Sequence, residues 1–202
     1  MFRRMIRSMS SIPEARYKLT WKVSLPGGQK RLREAVLYVS QKCEQAPYFG
    51  KVKLNKIIWR ADFESFAQRG QPVTGRQYQR LRQGPAPVEM LPILNELQAE
   101  GLISYRIRKI GDYEEQRPIA LQSPVLTMFS KQDLDYLDQA ISVYWEKTGS
   151  EVSDISHGAA WKSRDDGDPM PYELAYLSDQ PLGVGQKSRI LKLAETYGWK
   201  SK

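Results

Sequence analysis

Cysteine and histidine are almost missing from this chain. Its 202 residues hold one of each, Cys43 and His157. A lone thiol excludes an intrachain disulfide, and the pair excludes a Cys/His zinc cluster within one chain. A free thiol suits a reducing compartment, so the cytoplasm is the expected location. No run approaches the roughly 18–20 apolar residues of a membrane-crossing helix, and no membrane partner is expected. The first residues carry Arg3, Arg4 and Arg7 and no acid before Glu14, a composition that can mimic an organellar transit segment. The apolar core of a secretory signal is not there.

Catalytic and cofactor signatures are equally thin. Gly183-Val184-Gly185 lacks the third glycine and the preceding strand of a dinucleotide loop. Asp165, Asp166 and Asp168 crowd as in a calcium loop, but Gly167 is followed by Asp168-Pro169 and no glutamate closes the pattern. A solvated acidic loop is the reading, with no metal and no cofactor. His157 has the chemistry of a general base, yet no serine or cysteine in a strained turn points to it. It is read as structural, in protonated form at the end of a short helix, where the dipole favours a cation. No enzyme is expected.

What is present is the composition of a globular protein: 41% hydrophobic and 27% charged residues. A chain of this length buries about 70% of its unfolded surface and needs no staple to fold. The charge is uneven. Residues 1–60 hold 14 basic and 3 acidic residues, net +11, whereas residues 61–202 hold 17 and 20, net −3. Such asymmetry points to an anionic partner for the first third: an acidic protein face, nucleic acid or a membrane surface.

Periodicity and breakers place the elements. Tyr17, Leu19, Trp21, Val23 and Leu25 alternate with polar residues up to Pro26-Gly27-Gly28, as a short strand or a docked extended arm would. Leu32, Val36, Val39 and Cys43 predict a helix over 29–46. Leu54, Ile57, Ile58, Ala61 and Ser65 form a stripe that Trp59, Phe63 and Phe66 widen, so 51–69 predicts a helix buried on two sides and closed by Gly70. Residues 70–87 predict an ordered loop with an extended piece at 77–81. Gly84-Pro85-Ala86-Pro87 sets up a helix to about Glu100, since proline is accepted in a first turn. Pro92 either moves its start to Leu91 or kinks it. Segments 103–109 and 117–121 predict antiparallel strands around the turn signal Gly111-Asp112. Ser130-x-x-Asp133 starts a helix in the manner of a capping box, running to about Lys147 and closed by Gly149. Short helices follow over 151–157, with Val152 and Ile155 inward, and over 171–177; an amphipathic one spans 188–198.

A helix followed by a hairpin is the order of a winged-helix unit, and Arg106, Arg108 and Lys109 ride on its first strand. The preceding helix argues against ordinary DNA reading. It carries Glu89, Glu96 and Glu100, with no Lys or Arg between Val88 and Gly101, and phosphates repel it. DNA is therefore a secondary partner, and a DNA-binding regulator with a winged-helix-like core is the alternative function.

Five ordered segments resemble the Panacea domain, the SocA-like antitoxin family of bacteria and phages. Lys53-Leu54-Asn55-Lys56-Ile57-Ile58-Trp59-Arg60-Ala61-Asp62-Phe63 is similar to the family helix KLLYLADF. Gly70-Gln71-Pro72-Val73-Thr74-Gly75-Arg76-Gln77-Tyr78 resembles GRPITGDRY, and Gly84-Pro85-Ala86-Pro87 resembles GPVP. Leu97…Gly101-Leu102-Ile103 leads into the hairpin, and Ile155-Ser156-His157 with Trp161 resembles LSH…W. Ile57 departs from the family's aromatic, and Trp59 takes the apolar position after Ile58.

The resemblance implies an antitoxin that binds a cognate protein toxin stoichiometrically, in some members handing it to a protease. On that basis Lys53, Lys56, Arg60, Tyr78, Gly84 and Pro85 are candidates for contact with the partner. Asp62, Gly75, His157 and Trp161 are candidates for maintaining the fold, with Asp62 and His157 pairing in the interior. The expected fold is mainly α, a helical domain with a small antiparallel β-hairpin, α+β in strict terms. Residues 1–28 form a basic N-terminal extension that helps choose the partner, 29–180 the Panacea-like domain, and 181–202 a C-terminal extension.

Overall fold

A computed structural model describes residues 19–110 and 113–177, together with Asp179, Ser188 and Lys192. The fold is mixed α+β and mainly helical, as the sequence predicts. α1 (Lys30–Lys42) buries Leu32, Ala35, Val36 and Val39. It ends four residues earlier than its apolar pattern implies, at Cys43, whose ψ of 13° leaves the helical region. α2 (Lys51–Arg69) runs through the middle and ends at Gly70, with φ 72°. It has almost no polar side because it feeds two cores. Leu54, Ile57, Ile58 and Ala61 join the main one; Phe63 and Phe66 join a smaller aromatic one with Tyr78, Met170, Tyr172 and Leu174. Each Leu or Ile buried in this way stabilises the fold by about 1.5–3 kcal/mol before entropy is counted.

Around α2 lie two small sheets. β1 (Tyr78–Gln79) sits between β2 (Ala86–Pro87) and β5 (Pro169–Met170), antiparallel to both. Pro87 therefore does not open the next helix. It lies extended in an outer strand, where a missing N–H costs no ladder bond. α3 (Met90–Ala99) begins after Glu89 and accommodates Pro92 in its first turn, where no intrahelical donor is needed. β3 (Ile103–Ile110) and β4 (Tyr113–Ala120) form the hairpin, paired from Ile103↔Ala120 to Ile110↔Tyr113. The expected Gly-Asp turn lies outside the described residues.

α4 (Lys131–Tyr144) starts with the reciprocal Ser130/Asp133 cap and stops at Tyr144. Gly149, expected to close it, instead opens α5 (Gly149–Ser156), capped by Thr148 and Glu151. In α5 Val152 is buried, while Ile155, expected inward, is 46% exposed. α6 (Ala159–Lys162) follows. The expected helix over 171–177 is a 3₁₀ helix, Tyr172–Tyr176. Of the expected helix over 188–198, only Ser188 and Lys192 are described.

A polar node fastens α1, α2 and α4. Asp133, buried at the start of α4, accepts from Arg31 of α1 at 2.9 Å, from Arg69 of α2 and from the Ser130 N–H at 2.9 Å. Arg31 also donates to the carbonyls of Val73, at 2.7 Å, and Met128. The described part of the N-terminal segment takes the docked extended form. The Val23 N–H donates to the Gly75 carbonyl at 3.0 Å, the Thr20 N–H to Glu173 at 2.9 Å, and the Thr20 carbonyl accepts from Tyr172 N–H at 2.8 Å. A Cβ on Gly75, whose φ is 71°, would strike that Val23 carbonyl, so the glycine admits the strap.

Candidate partner-binding site

Of the residues singled out by sequence, Lys56, Gly84, Pro85, His157 and Trp161 converge where α2, the 80–87 loop and α5–α6 meet. Lys53 and Lys56 point inward. The Lys53 ammonium donates to the carbonyls of Pro47 at 2.6 Å and Trp145 at 3.0 Å. Lys56 donates to the Pro85 carbonyl at 2.8 Å. Among the described residues, neither has a carboxylate in salt-bridge contact. Burial therefore favours the neutral amine and brings Lys56 down to about 7. Burial brings Lys53 down to about 8, with the surrounding acids Glu115 and Glu146 opposing the fall.

Gly84 is the contact point. Its φ is 95°, and a Cβ there would run into the Ser156 hydroxyl and lie 2.6 Å from Lys56 Cε. Only glycine lets the loop rest on both helices. From α5, Ser153 Oγ donates to the Gln83 carbonyl at 3.0 Å and Ser156 Oγ to the Ser153 carbonyl at 2.7 Å. His157 stacks on Trp161 with centroids 4.0 Å apart. The Arg80 guanidinium covers that indole at 3.7 Å, and the Trp161 Nε1–H donates to the Leu81 carbonyl at 2.9 Å. Arg80 is held in turn by Asp166 at 3.0 Å.

This arrangement corrects two expectations. His157 does not pair with Asp62. Nor is it a helix-stabilised cation: burial lowers its proton affinity first, and nearby Lys56 and Arg80 add to the fall, against Asp154 and a backbone bond to Arg82. Its Nε2 lies 3.5 Å from Ser153 Oγ, whose hydrogen is already directed to Gln83. The Ser153 bond to Gln83 ties α5 to the loop.

Asp62 belongs to the aromatic core instead. It accepts from the Thr74 N–H at 2.6 Å, the Thr74 hydroxyl and the Tyr78 hydroxyl at 2.7 Å. Tyr172 Oη is also within 3.3 Å, but its one hydrogen has a nearer acceptor, the Arg76 carbonyl at 2.7 Å. Burial pushes the Asp62 carboxyl above its usual range, and the bonds from Thr74 and Tyr78 oppose the rise. Arg76, itself buried, pairs with Glu89.

Of the six positions named for partner contact, Lys53, Lys56, Tyr78, Gly84 and Pro85 are buried. Arg60 is partly exposed and paired with Glu64. The surface above them is made by residues the motifs do not contain. Leu81, Arg82 and Gln83 are exposed on the loop, and Tyr48 is 45% exposed. Tyr48 has φ 52°, a rare conformation for a bulky side chain. Two adjoining hollows of about 610 and 760 Å³ share Val52, Arg82 and Gln83. Sequence held one signal for this rim: an apolar Leu81 and a cationic Arg82 just ahead of Gly84-Pro85, in a loop pinned at both ends.

No curated protein and no solved structure matches the chain. A family model does, over residues 54–162, and it is described as antitoxin SocA-like, Panacea domain. The match begins one residue into the buried Lys53–Asp62 register of α2 and ends one residue past Trp161. It thus spans the convergence of helix, loop and α5–α6 just described, and the chain belongs to this antitoxin SocA-like, Panacea-domain family.

Proposed function

We propose that this chain neutralises a cognate protein toxin by direct, stoichiometric binding, without catalysis of its own, in the cytoplasm of a prokaryotic or phage-infected cell. Membership of the antitoxin family carries the reading. The site supports it in a particular way. The family-motif side chains are turned inward and hold the 80–87 loop, so their role is to fix the shape of the exposed rim at Tyr48, Leu81, Arg82 and Gln83. A loop pinned before docking loses little entropy on binding. The basic N-terminal segment adds steering towards an acidic face of the toxin and raises the association rate. Delivery of the captured toxin to a protease is a further step compatible with such binding.

Co-expression with the toxic product of a neighbouring reading frame tests this. The full chain is expected to restore growth and to co-purify with that product in fixed stoichiometry. Removing residues 1–18 is expected to weaken the complex while leaving the core folded. Removing 1–28 also costs stability, since it deletes the strap held by Gly75 and Tyr172. A chain that ignores the neighbour but binds its own promoter, with sequence preference surviving raised salt, supports the DNA-binding regulator instead.

A further inference from the structure

We propose that the free edge of β3 receives an extended acidic segment of the protein partner, which adds a third strand to the hairpin; this deepens the antitoxin reading and rests on it. The hairpin has two strands, so each has one unpaired edge. Among the described residues, no backbone group of 103–110 bonds to main chain outside the hairpin. The β4 side is covered: Arg117 donates to the carbonyls of Glu44 at 2.8 Å and Ala46 at 2.9 Å, and Glu115 is buried beside Gly50. The β3 side is open. Ile103 enters the core and Tyr105 packs against it, while Arg106, Ile107, Arg108 and Lys109 are exposed.

Three of those four exposed residues are cations, and none has an ion pair or hydrogen bond among the described residues. The acids opposite are engaged elsewhere. Glu115, across from Arg108, pairs with Arg117 at 3.6 Å, and Glu114, across from Lys109, accepts from Gln116 at 3.2 Å. Cationic edges disfavour self-pairing, because a second copy would set one basic row against another. The same row favours a strand of opposite sign. Alternation puts Arg106 and Arg108 on one face and Tyr105, Ile107 and Lys109 on the other. The matching segment therefore carries acids at alternate positions, with apolar residues between them. A hollow of about 540 Å³ lined by Lys51, Tyr105 and Ile107 seats those apolar residues. At its side the Tyr105 hydroxyl has no hydrogen-bond partner among the described residues, and Lys51 Nζ stands 4.4 Å over the Tyr105 ring. Lys51 and Val52 are consecutive in α2 and line this hollow and the rim hollow respectively, so one partner can reach both.

The test uses the full chain, isotopically labelled, and a short capped peptide alternating Asp or Glu with Val. Binding is expected to shift the amides of 103–110 and to give cross-strand contacts to β3. The double variant Arg106→Glu/Arg108→Glu is expected to weaken it roughly tenfold or more. A peptide with Lys in place of the acids is expected to bind that variant, which also shows that it is folded. Methylating peptide nitrogens that face β3 removes binding, whereas methylating those that face away does not. Shifts that map elsewhere, indifference to N-methylation, a short DNA duplex that occupies the same amides in preference, or self-association through β3 overturns the proposal. Should the double variant still neutralise the toxin as the native chain does, the edge is not the site and the antitoxin reading stands. A native chain that neutralises nothing removes the antitoxin reading, whatever the peptide does.

Discussion

Asp133 and Asp62 are both buried, yet their surroundings drive them in opposite directions. Burial pushes each carboxyl upward. At Asp133 the bonds from Arg69, the Ser130 N–H and Arg31 outweigh it and hold the carboxyl below its usual range. At Asp62 the donors are an amide and hydroxyls with no cation among them, and burial wins. The first site is an ion-pair clamp joining α1, α2 and α4. The second is a neutral-donor knot in an aromatic core, where Phe63, Tyr78 and Tyr172 surround the acid with ring centroids 5.2–6.1 Å apart. Burial of one residue type thus fixes no charge state; the partners decide it.

The comparison breaks most visibly at the clamp. Asp133→Ala leaves Arg31 buried without its counter-ion and removes the α4 cap, and is expected to cost about 3–5 kcal/mol by urea denaturation. Asp62→Asn keeps the shape but turns an amide donor towards groups that are themselves donors, and is expected to cost about 1–3 kcal/mol. Acid sharpens the contrast. The Asp133 carboxyl is held low in the fold, so its contribution is complete above its unfolded value and is lost as pH falls through the folded one. The Asp62 carboxyl is held high, so the folded state takes up its proton first and gains on the unfolded chain. As pH is lowered from about 6 to about 3, the penalty of Asp133→Asn shrinks and that of Asp62→Asn grows. Parallel trends would sink the distinction.

Lys56 supplies a third case, a buried cation without a carboxylate in contact. Its folded value of about 7 lies below the ordinary 10.5. Between the two the unfolded chain carries a proton that the folded chain lacks, so stability rises with pH, by at most about 1.4 kcal/mol per unit. Lys56→Met is expected to flatten the melting temperature against pH over about 7 to 8.5; an unchanged slope means that Lys56 stays charged in the fold. Thr74→Val is the smallest expected change. It deletes one hydroxyl donor to Asp62, keeps the backbone bond, and costs about 0.5–1.5 kcal/mol by the same denaturation assay.

Local signals in the sequence located α2, the hairpin and the α4 cap, because each depends on neighbours a few residues apart. Thr148-x-x-Glu151 is as good a cap as Ser130-x-x-Asp133, but Gly149 reads as a stop when only the preceding helix is considered. The charged candidates failed for a related reason. Lys53 and Lys56 occupy positions that periodicity leaves for solvent or a partner, and the carbonyls of Pro47, Trp145 and Pro85 draw them inward. Asp62 meets Tyr172 across 110 residues of sequence, a separation that no motif spacing encodes. The rim residues carried no motif because nothing in the fold requires their identity.

The inward turn of the α2 lysines and of Asp62 also bears on how such a protein changes over generations. A helix with partners on both sides tolerates little drift, because each substitution disturbs a core or leaves a buried polar group unmatched. Leu81, Arg82 and Gln83 stand outside that constraint, and exposed positions of this kind typically shift stability by no more than about 0.5 kcal/mol when replaced. On the proposed function, retargeting can therefore proceed by neutral steps along the rim while the scaffold beneath it stays fixed.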